Sequence, residues 1–76
     1  MIREHDRVVL TKDIPSEGLL AGDVGTVVHV HRKRKGYQVE FVALDGQTVA
    51  IAAVTASQIR PVGKGEITHA RQLATA

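Results

Sequence analysis

The stretch HVHRKRKGYQVEF (residues 29–41) places four basic residues between two segments in which apolar residues alternate. Alternation with a period of two predicts β-strands, and the polar segment between them predicts that the strands pair as a hairpin. The pairing that keeps both apolar faces on one side sets Val30 opposite Tyr37 and Val28 opposite Val39. A slip by one residue would turn two histidines into the core, so this register is well specified.

In this register His31 lies opposite Gly36. The loop between the two strands is therefore predicted to consist of four basic residues alone. Its four residues are Arg32, Lys33, Arg34 and Lys35. Two interpretations stay open. The favoured one is a solubilising tip that protects the hairpin against edge pairing, and the alternative is a small nucleic-acid-binding module that contacts phosphates with this tip. Nucleic-acid binders usually spread cations over a face, and the only nearby aromatic, Tyr37, alternates inward.

The rest of the chain predicts further short strands separated by turns. β-branched or alternating segments predict strands at residues 6–12, 24–31, 36–42, 47–54 and 58–62. A long loop fills residues 13–23, a DG hairpin turn lies at 45–46 and a 3₁₀ turn at 55–57. This layout predicts an all-β fold, a small SH3-like five-stranded barrel over residues 1–63 with a C-terminal extension at 64–76.

The core is predicted from the inward positions of these strands. We expect at least one of Leu19 and Leu20 to fold back from the long loop and plug the open barrel end. Gly25 predicts a bulge or a close backbone approach, and Asp23 is expected to bond the backbone of its turn. The predicted core residues are Val8, Leu10, Val28, Val30, Val39, Phe41, Val49, Ile51 and Ile59.

Composition limits the class of protein. The 76 residues allow one domain, and the absence of cysteine excludes disulfides and thiolate chemistry. No apolar run is long enough to span a bilayer, and charged residues directly follow Met1 and Ile2, so no secretory signal is expected. We therefore expect a cytoplasmic protein without membrane contact.

The segments LTKDIPSEGLLAGDVGTVVHV, VEF and IRPV resemble a family of short bacterial proteins known only as a domain of unknown function. The resemblance covers residues 2–62 and implies an SH3-like barrel without assigned catalytic residues. It also suggests genes that lie beside other small genes, as in toxin–antitoxin pairs. The segment AGDVGTV is in part similar to a ribosomal-type RNA-binding motif.

No catalytic or metal site is expected. Ser16 and Ser57 lie in predicted turns without a histidine and a carboxylate placed to activate them. His29 and His31 share one strand face, but Glu40 is the only nearby candidate for a third metal ligand. The segment GLLAGDVG lacks the Gly-Lys-Ser/Thr ending of a phosphate-binding loop. We predict a non-enzymatic chain without a cofactor or metal.

The tail EITHARQLATA (residues 66–76) fits both a strand and a helix pattern, and a final strand over 66–70 is favoured. Apolar residues in the long loop and in the tail exceed what a small core absorbs, and exposed apolar surface marks interaction sites. We expect a partner protein, or a second copy of the chain, to contact residues 18–21 and 66–73. The candidate contact residues are Leu19, Leu20, Ile67 and Leu73.

Overall fold

The computed structural model describes residues 1–33 and 35–73, which form one antiparallel five-stranded sheet. Its strands are β1 (Arg7–Leu10), β2 (Val24–His31), β3 (Gly36–Val42), β4 (Thr48–Thr55) and β5 (Ile59–Pro61), and 3₁₀ turns lie at Pro15–Glu17 and Ala56–Gln58. The strand order is β4-β3-β2-β1-β5, so the described strands leave the sheet open between β4 and β5. The all-β prediction is confirmed, and the long first loop and the turn before β5 agree with an SH3-like layout.

The hairpin of β2 and β3 has the predicted register at its tip. Val30 pairs with Tyr37, and His31 pairs with Gly36. The described tip residues Arg32, Lys33 and Lys35 are exposed, whereas Arg34 lies outside the described residues. The alternation near the loop was therefore sufficient to predict both the register and the exposure of the described cations.

Further along β2 the predicted face is wrong, because the strand contains a β-bulge. The register shifts between Val27 and His29, so Val27 rather than Val28 pairs with Val39. A bulge sets two residues against one and thereby reverses the inward and outward positions beyond it. Val27 is fully buried, and Val28 is 39% exposed, so the assignment of Val28 to the core is corrected.

A second register shift changes the buried face of β4. Phe41 pairs with Ala50, while Val42 pairs with Thr48, which leaves Val49 as the extra residue. The core side of β4 therefore carries Ala50, Ala52 and Val54. Ile51 points outward and is 57% exposed, so its assignment to the core is wrong. Both faces of TVAIAAVT are largely apolar, so the alternation in this strand did not distinguish the inner face.

The remaining core prediction holds. Val30 and Val49 pack partly buried against the core. The buried cluster itself consists of Val8, Leu10, Leu19, Val27, Val39, Phe41, Ala52, Val54 and Ile59. Five of the predicted residues belong to it, and Leu19 joins them from the long loop, as expected for one of the two leucines. Among the described residues there is no helix of the length and apolarity that crossing a membrane requires.

The long first loop is held over the sheet by its own backbone hydrogen bonds. Ile14 and Leu19 form an antiparallel bridge, in which the Ile14 N–H donates to the Leu19 carbonyl at 2.8 Å and the Leu19 N–H donates back at 3.1 Å. Gly18 closes this turn with a φ of 70°, a conformation that glycine adopts without strain. Leu19 is consequently 2% exposed, whereas Leu20 is 44% exposed. A partner at the folded surface therefore has access to Leu20 but not to Leu19.

Gly25 marks a close approach of two strands, as the sequence predicted. A Cβ atom at this position would lie 2.5 Å from Val39 Cγ1 and 2.9 Å from the Glu40 carbonyl oxygen. Side-chain atoms do not tolerate such distances, so only glycine lets β2 pass this close to β3.

Candidate functional site

The tail after β5 lacks the strand that was favoured for residues 66–70. Described residues 62–73 contain neither a helix nor a strand, so that prediction is wrong, and residues 74–76 lie outside the described part of the chain. Side chains rather than a ladder of backbone hydrogen bonds fix this segment to the sheet. Two anchors, one at each end of the segment, determine its course.

The first anchor joins Arg60 on β5 to Glu66. The guanidinium donates from Nη1 to Oε1 at 2.8 Å and from Nη2 to Oε2 at 2.7 Å, and the Gly63 N–H donates to the same carboxylate. These hydrogen bonds, that of Arg60 first, lower the pKa of Glu66 to about 2. The chain therefore turns at residues 63–66 instead of continuing in line with β5.

The second anchor, which we call the latch, is the ion pair of Arg71 with Asp23. Arg71 Nε donates to Asp23 Oδ1 at 2.9 Å, and its Nη2 donates to Asp23 Oδ2 and to the Gly18 carbonyl, the latter at 3.2 Å. The two side chains are 28% and 20% exposed, so solvent screens the pair less than a fully exposed one. The latch connects residues that are 48 positions apart and fixes the tail across the long loop.

Asp23 also holds its own turn, as predicted from its position after the glycine. Its Oδ2 accepts a hydrogen bond from the Leu20 N–H at 2.9 Å. Burial raises the pKa of Asp23, but the hydrogen bonds from Arg71 and Leu20 outweigh it, and the pKa lies below its usual value. The carboxylate therefore stays ionised, and the latch stays closed, throughout the neutral range.

We expect Arg71→Ala to release the tail without unfolding the sheet, because the latch is the only ion pair that the described residues form between the tail and the first loop. The measurement is the backbone NMR spectrum, in which resonances of residues 67–73, beyond the Glu66 anchor, should move toward random-coil positions. Lys64→Ala is the matched control, since Lys64 belongs to neither anchor. Because the pKa of Asp23 is lowered, the stabilisation that its carboxylate gives the latch is lost only as pH falls through a value below 3.8. Acid should therefore reproduce the tail resonances of the variant. Tail resonances that stay unchanged in Arg71→Ala would contradict the latch.

The anchored tail forms one wall of a groove of about 270 Å³. Leu19 and Phe41 lie at its floor, and the segment between β3 and β4 forms the opposite wall. Exposed apolar side chains line it, namely Val24 (37% exposed), Val42 (45%), Leu44 (80%) and Ile67 (91%). The volume lies below the range of about 300–1,000 Å³ that is typical of small-molecule sites. The groove suits one or two apolar side chains from another macromolecule.

The predicted contact residues divide between this groove and its surroundings. Ile67 and Leu73 line the groove, Leu19 is buried beneath it, and Leu20 lies outside its lining. The sequence patterns did not single out Leu44, which is 80% exposed in the segment between β3 and β4. A signal for it existed, because Leu44 lies three residues after Phe41 and therefore falls on the outward phase of the alternation in β3.

The two histidines of β2 lie together on the outer sheet face. Their ring centroids are 4.4 Å apart in an edge-to-face arrangement, and His29 Nδ1 lies 3.7 Å from Glu4 Oε2. Glu40, the only nearby candidate for a third ligand in the sequence, accepts a hydrogen bond from Thr48 at 2.8 Å. Within the described ranges, no three His, Cys, Asp or Glu side chains are arranged to hold a metal ion.

The cationic tip offers charge but no stacking surface. Arg32, Lys33 and Lys35 are exposed, and Tyr37 is partly buried against the core. Base stacking needs an accessible aromatic face beside the cations. The described tip can attract phosphate but presents no accessible aromatic ring.

Comparison with known proteins assigns the region of the sheet to a family but gives no activity. A family model described as a domain of unknown function (DUF4926) matches residues 4–61, which include all five strands. No curated protein and no solved structure matches the chain. The matched region ends at Pro61, so the tail wall of the groove lies outside it.

Proposed function

The chain belongs to the DUF4926 family, and we propose that it is a non-catalytic protein–protein interaction module. Its binding site is the groove between the tail and the segment that joins β3 to β4. The occupant is a different protein that inserts one or two apolar side chains. Its concrete role is an accessory or antitoxin-like subunit of a small bacterial gene pair, working in the cytoplasm. The family resemblance and the absence of cysteine support that setting.

The single observation behind this proposal is the clustering of exposed apolar side chains. Nine large apolar residues are exposed among the described residues, and four of them line this one groove. Apolar residues scattered over a surface need no explanation, but a contiguous set marks an interaction site. Leu44, between β3 and β4, and Ile67, in the tail, both line the groove, so a side chain inserted there can contact apolar groups from both segments. Such enclosed anchors supply most of the energy of a protein interface.

The chemistry of the groove supports a binding rather than a catalytic role. The ionisable side chains that line it are Asp23, His69 and Arg71. Asp23 and Arg71 are paired with each other, and the pKa of Asp23 is lowered rather than raised. To act as a general acid or base at neutral pH, the Asp23 carboxyl would need a pKa shifted in the opposite direction.

The test uses two variants that change opposite walls, Leu44→Lys and Ile67→Lys. The tagged chain is used to isolate a partner from the native host, and the purified partner is then titrated by calorimetry. We expect each variant to weaken binding roughly 30-fold or more, as for the loss of a central apolar anchor. Val28→Lys is the control, because Val28 is exposed on the outer face away from the groove. Equal affinity of the groove variants and the unmodified chain would contradict the proposal.

A nucleic-acid-binding module remains the second candidate function, because the described cations of the tip are exposed. The interaction proposal predicts no appreciable affinity of the unmodified chain for RNA or DNA at physiological salt. Micromolar binding that weakens steeply with salt, and that disappears when residues 32–35 are replaced by serine, would favour the second candidate instead.

A further inference from the structure

The free edge of β4 is the longest exposed strand edge in the described sheet. β4 pairs with β3 on one side, and no described strand pairs with its other side. The opposite sheet edge, β5, has three residues and ends in Pro61, which are two common ways of preventing edge pairing. β4 has eight residues and, apart from the Thr55 N–H, which donates to Gln58 Oε1 at 2.8 Å, its outward N–H and C=O groups form a long template for another strand.

Nothing in the sequence of β4 protects this edge. Residues 46–59 contain no Asp, Glu, Lys, Arg or His, and this is the longest such stretch in a chain that is 24% charged. Natural proteins usually place a charge or a proline on a long edge strand. The register shift near Val49 affects only the start of β4, because the pairing with β3 is regular from Ala50 to Thr55. The unprotected part of the edge is therefore also its regular part.

From this edge we infer that β4 pairs with β4 of a second copy of the chain. Antiparallel pairing about a two-fold axis near Ile51 joins the two sheets into one of ten strands. Uncharged residues then meet uncharged residues along the whole seam, and the exposed Ile51 side chains pack against each other across the axis. To select a strand of a different protein, the edge would need side-chain pockets or charges that recognise it. β4 carries no charge that could do so. Pairing about a two-fold axis uses the free β4 edge of each copy. Both β4 edges are then covered, and no third chain can add to them.

This inference does not rest on the groove, because Val49 at the start of β4 is the one residue of that strand in the groove lining and Ile51 is not part of it. The two surfaces give the chain separate contacts, one with its own copy and one with a partner. An interface built on a single strand pair is small, and we expect a reversible dimer with a dissociation constant in the micromolar range.

Sedimentation velocity over the micromolar concentration range tests this dimer. The unmodified chain should shift from monomer to dimer with concentration, and Ile51→Lys should raise the dissociation constant at least tenfold. Two lysines would meet at the axis, while the fold is retained because Ile51 is 57% exposed. Circular dichroism checks the fold of the variant. Val28→Lys, an equivalent charge on an interior strand, and Leu44→Lys, a groove variant, should both dimerise normally.

Amide hydrogen exchange separates edge pairing from contact through another face. Outward amides of β4 should gain protection as concentration rises, and those of the short edge β5 should not. A chain that stays monomeric over this range would overturn the inference. So would a dimer that survives Ile51→Lys, or one that forms without added protection in β4.

Discussion

Replacing Phe41 by alanine is expected to lower the free energy of unfolding by about 3–5 kcal/mol. Phe41 is the only phenylalanine of the chain and is 2% exposed. It pairs with Ala50 on β4 and belongs to the buried cluster of the core. The other residues of the buried cluster are alanine, valine, leucine and isoleucine, so no second buried aromatic ring compensates for its loss. A domain of this size has a total stability of about 5–15 kcal/mol, and the variant would lose a large part of it.

The measurement is urea unfolding followed by far-UV circular dichroism. Phe41→Leu keeps much of the volume and should cost less than about 1.5 kcal/mol, which preserves a measurable transition if Phe41→Ala does not fold. Ile51→Ala is the matched control on the opposite sheet face and, at a protein concentration well below the expected dimer dissociation constant, should cost no more than about 1 kcal/mol. Comparable losses for Ile51→Ala and Phe41→Ala would show that the assignment of the buried face is wrong.

That comparison tests the part of the fold where sequence patterns were least informative. Beside the hairpin tip, histidines alternate with valine in β2, and glycine and glutamine alternate with tyrosine and valine in β3, so only one register buries apolar residues alone. In β4 both faces carry apolar residues, and burial of either satisfies the hydrophobic pattern. The bulge at Val49 determines which face of β4 is buried. It depends on packing against β3 and has no local signature in TVAIAAVT. The bulge in β2 displaced Val28 in the same way.

The groove was predictable only in part, for a different reason. Ile67 and Leu73 were identified as apolar residues beyond the capacity of a small core, and both line the groove. What holds them there is the pair of Arg71 with Asp23, and no local pattern connects residues so distant in sequence. The alternation of the tail predicted a strand, but the two side-chain anchors fixed an irregular path. Long-range ion pairs of this kind become visible only in the folded chain.

The long loop gives the second large effect: Leu19→Ala should lower the free energy of unfolding by about 2–5 kcal/mol, whereas Leu20→Ala should stay within about 0.5 kcal/mol. The two leucines are adjacent, and their sequence environment does not distinguish them. Leu19 is 2% exposed because the Ile14 bridge holds it over the core, and Leu20 on the other side of the backbone is 44% exposed. Urea unfolding of the two variants measures both effects in the same buffer.

The difference between these variants also separates stability from binding. Leu19 supports the groove from below, so its loss should destabilise the sheet and deepen the groove, while Leu44 and Ile67 still contact the partner. Leu44→Lys and Ile67→Lys should show the converse, normal stability with weakened binding, because both side chains are largely exposed. If Leu20→Ala destabilised the chain as much as Leu19→Ala, the loop would have to pack in another way. The groove above it would then lack the floor on which the proposed partner depends.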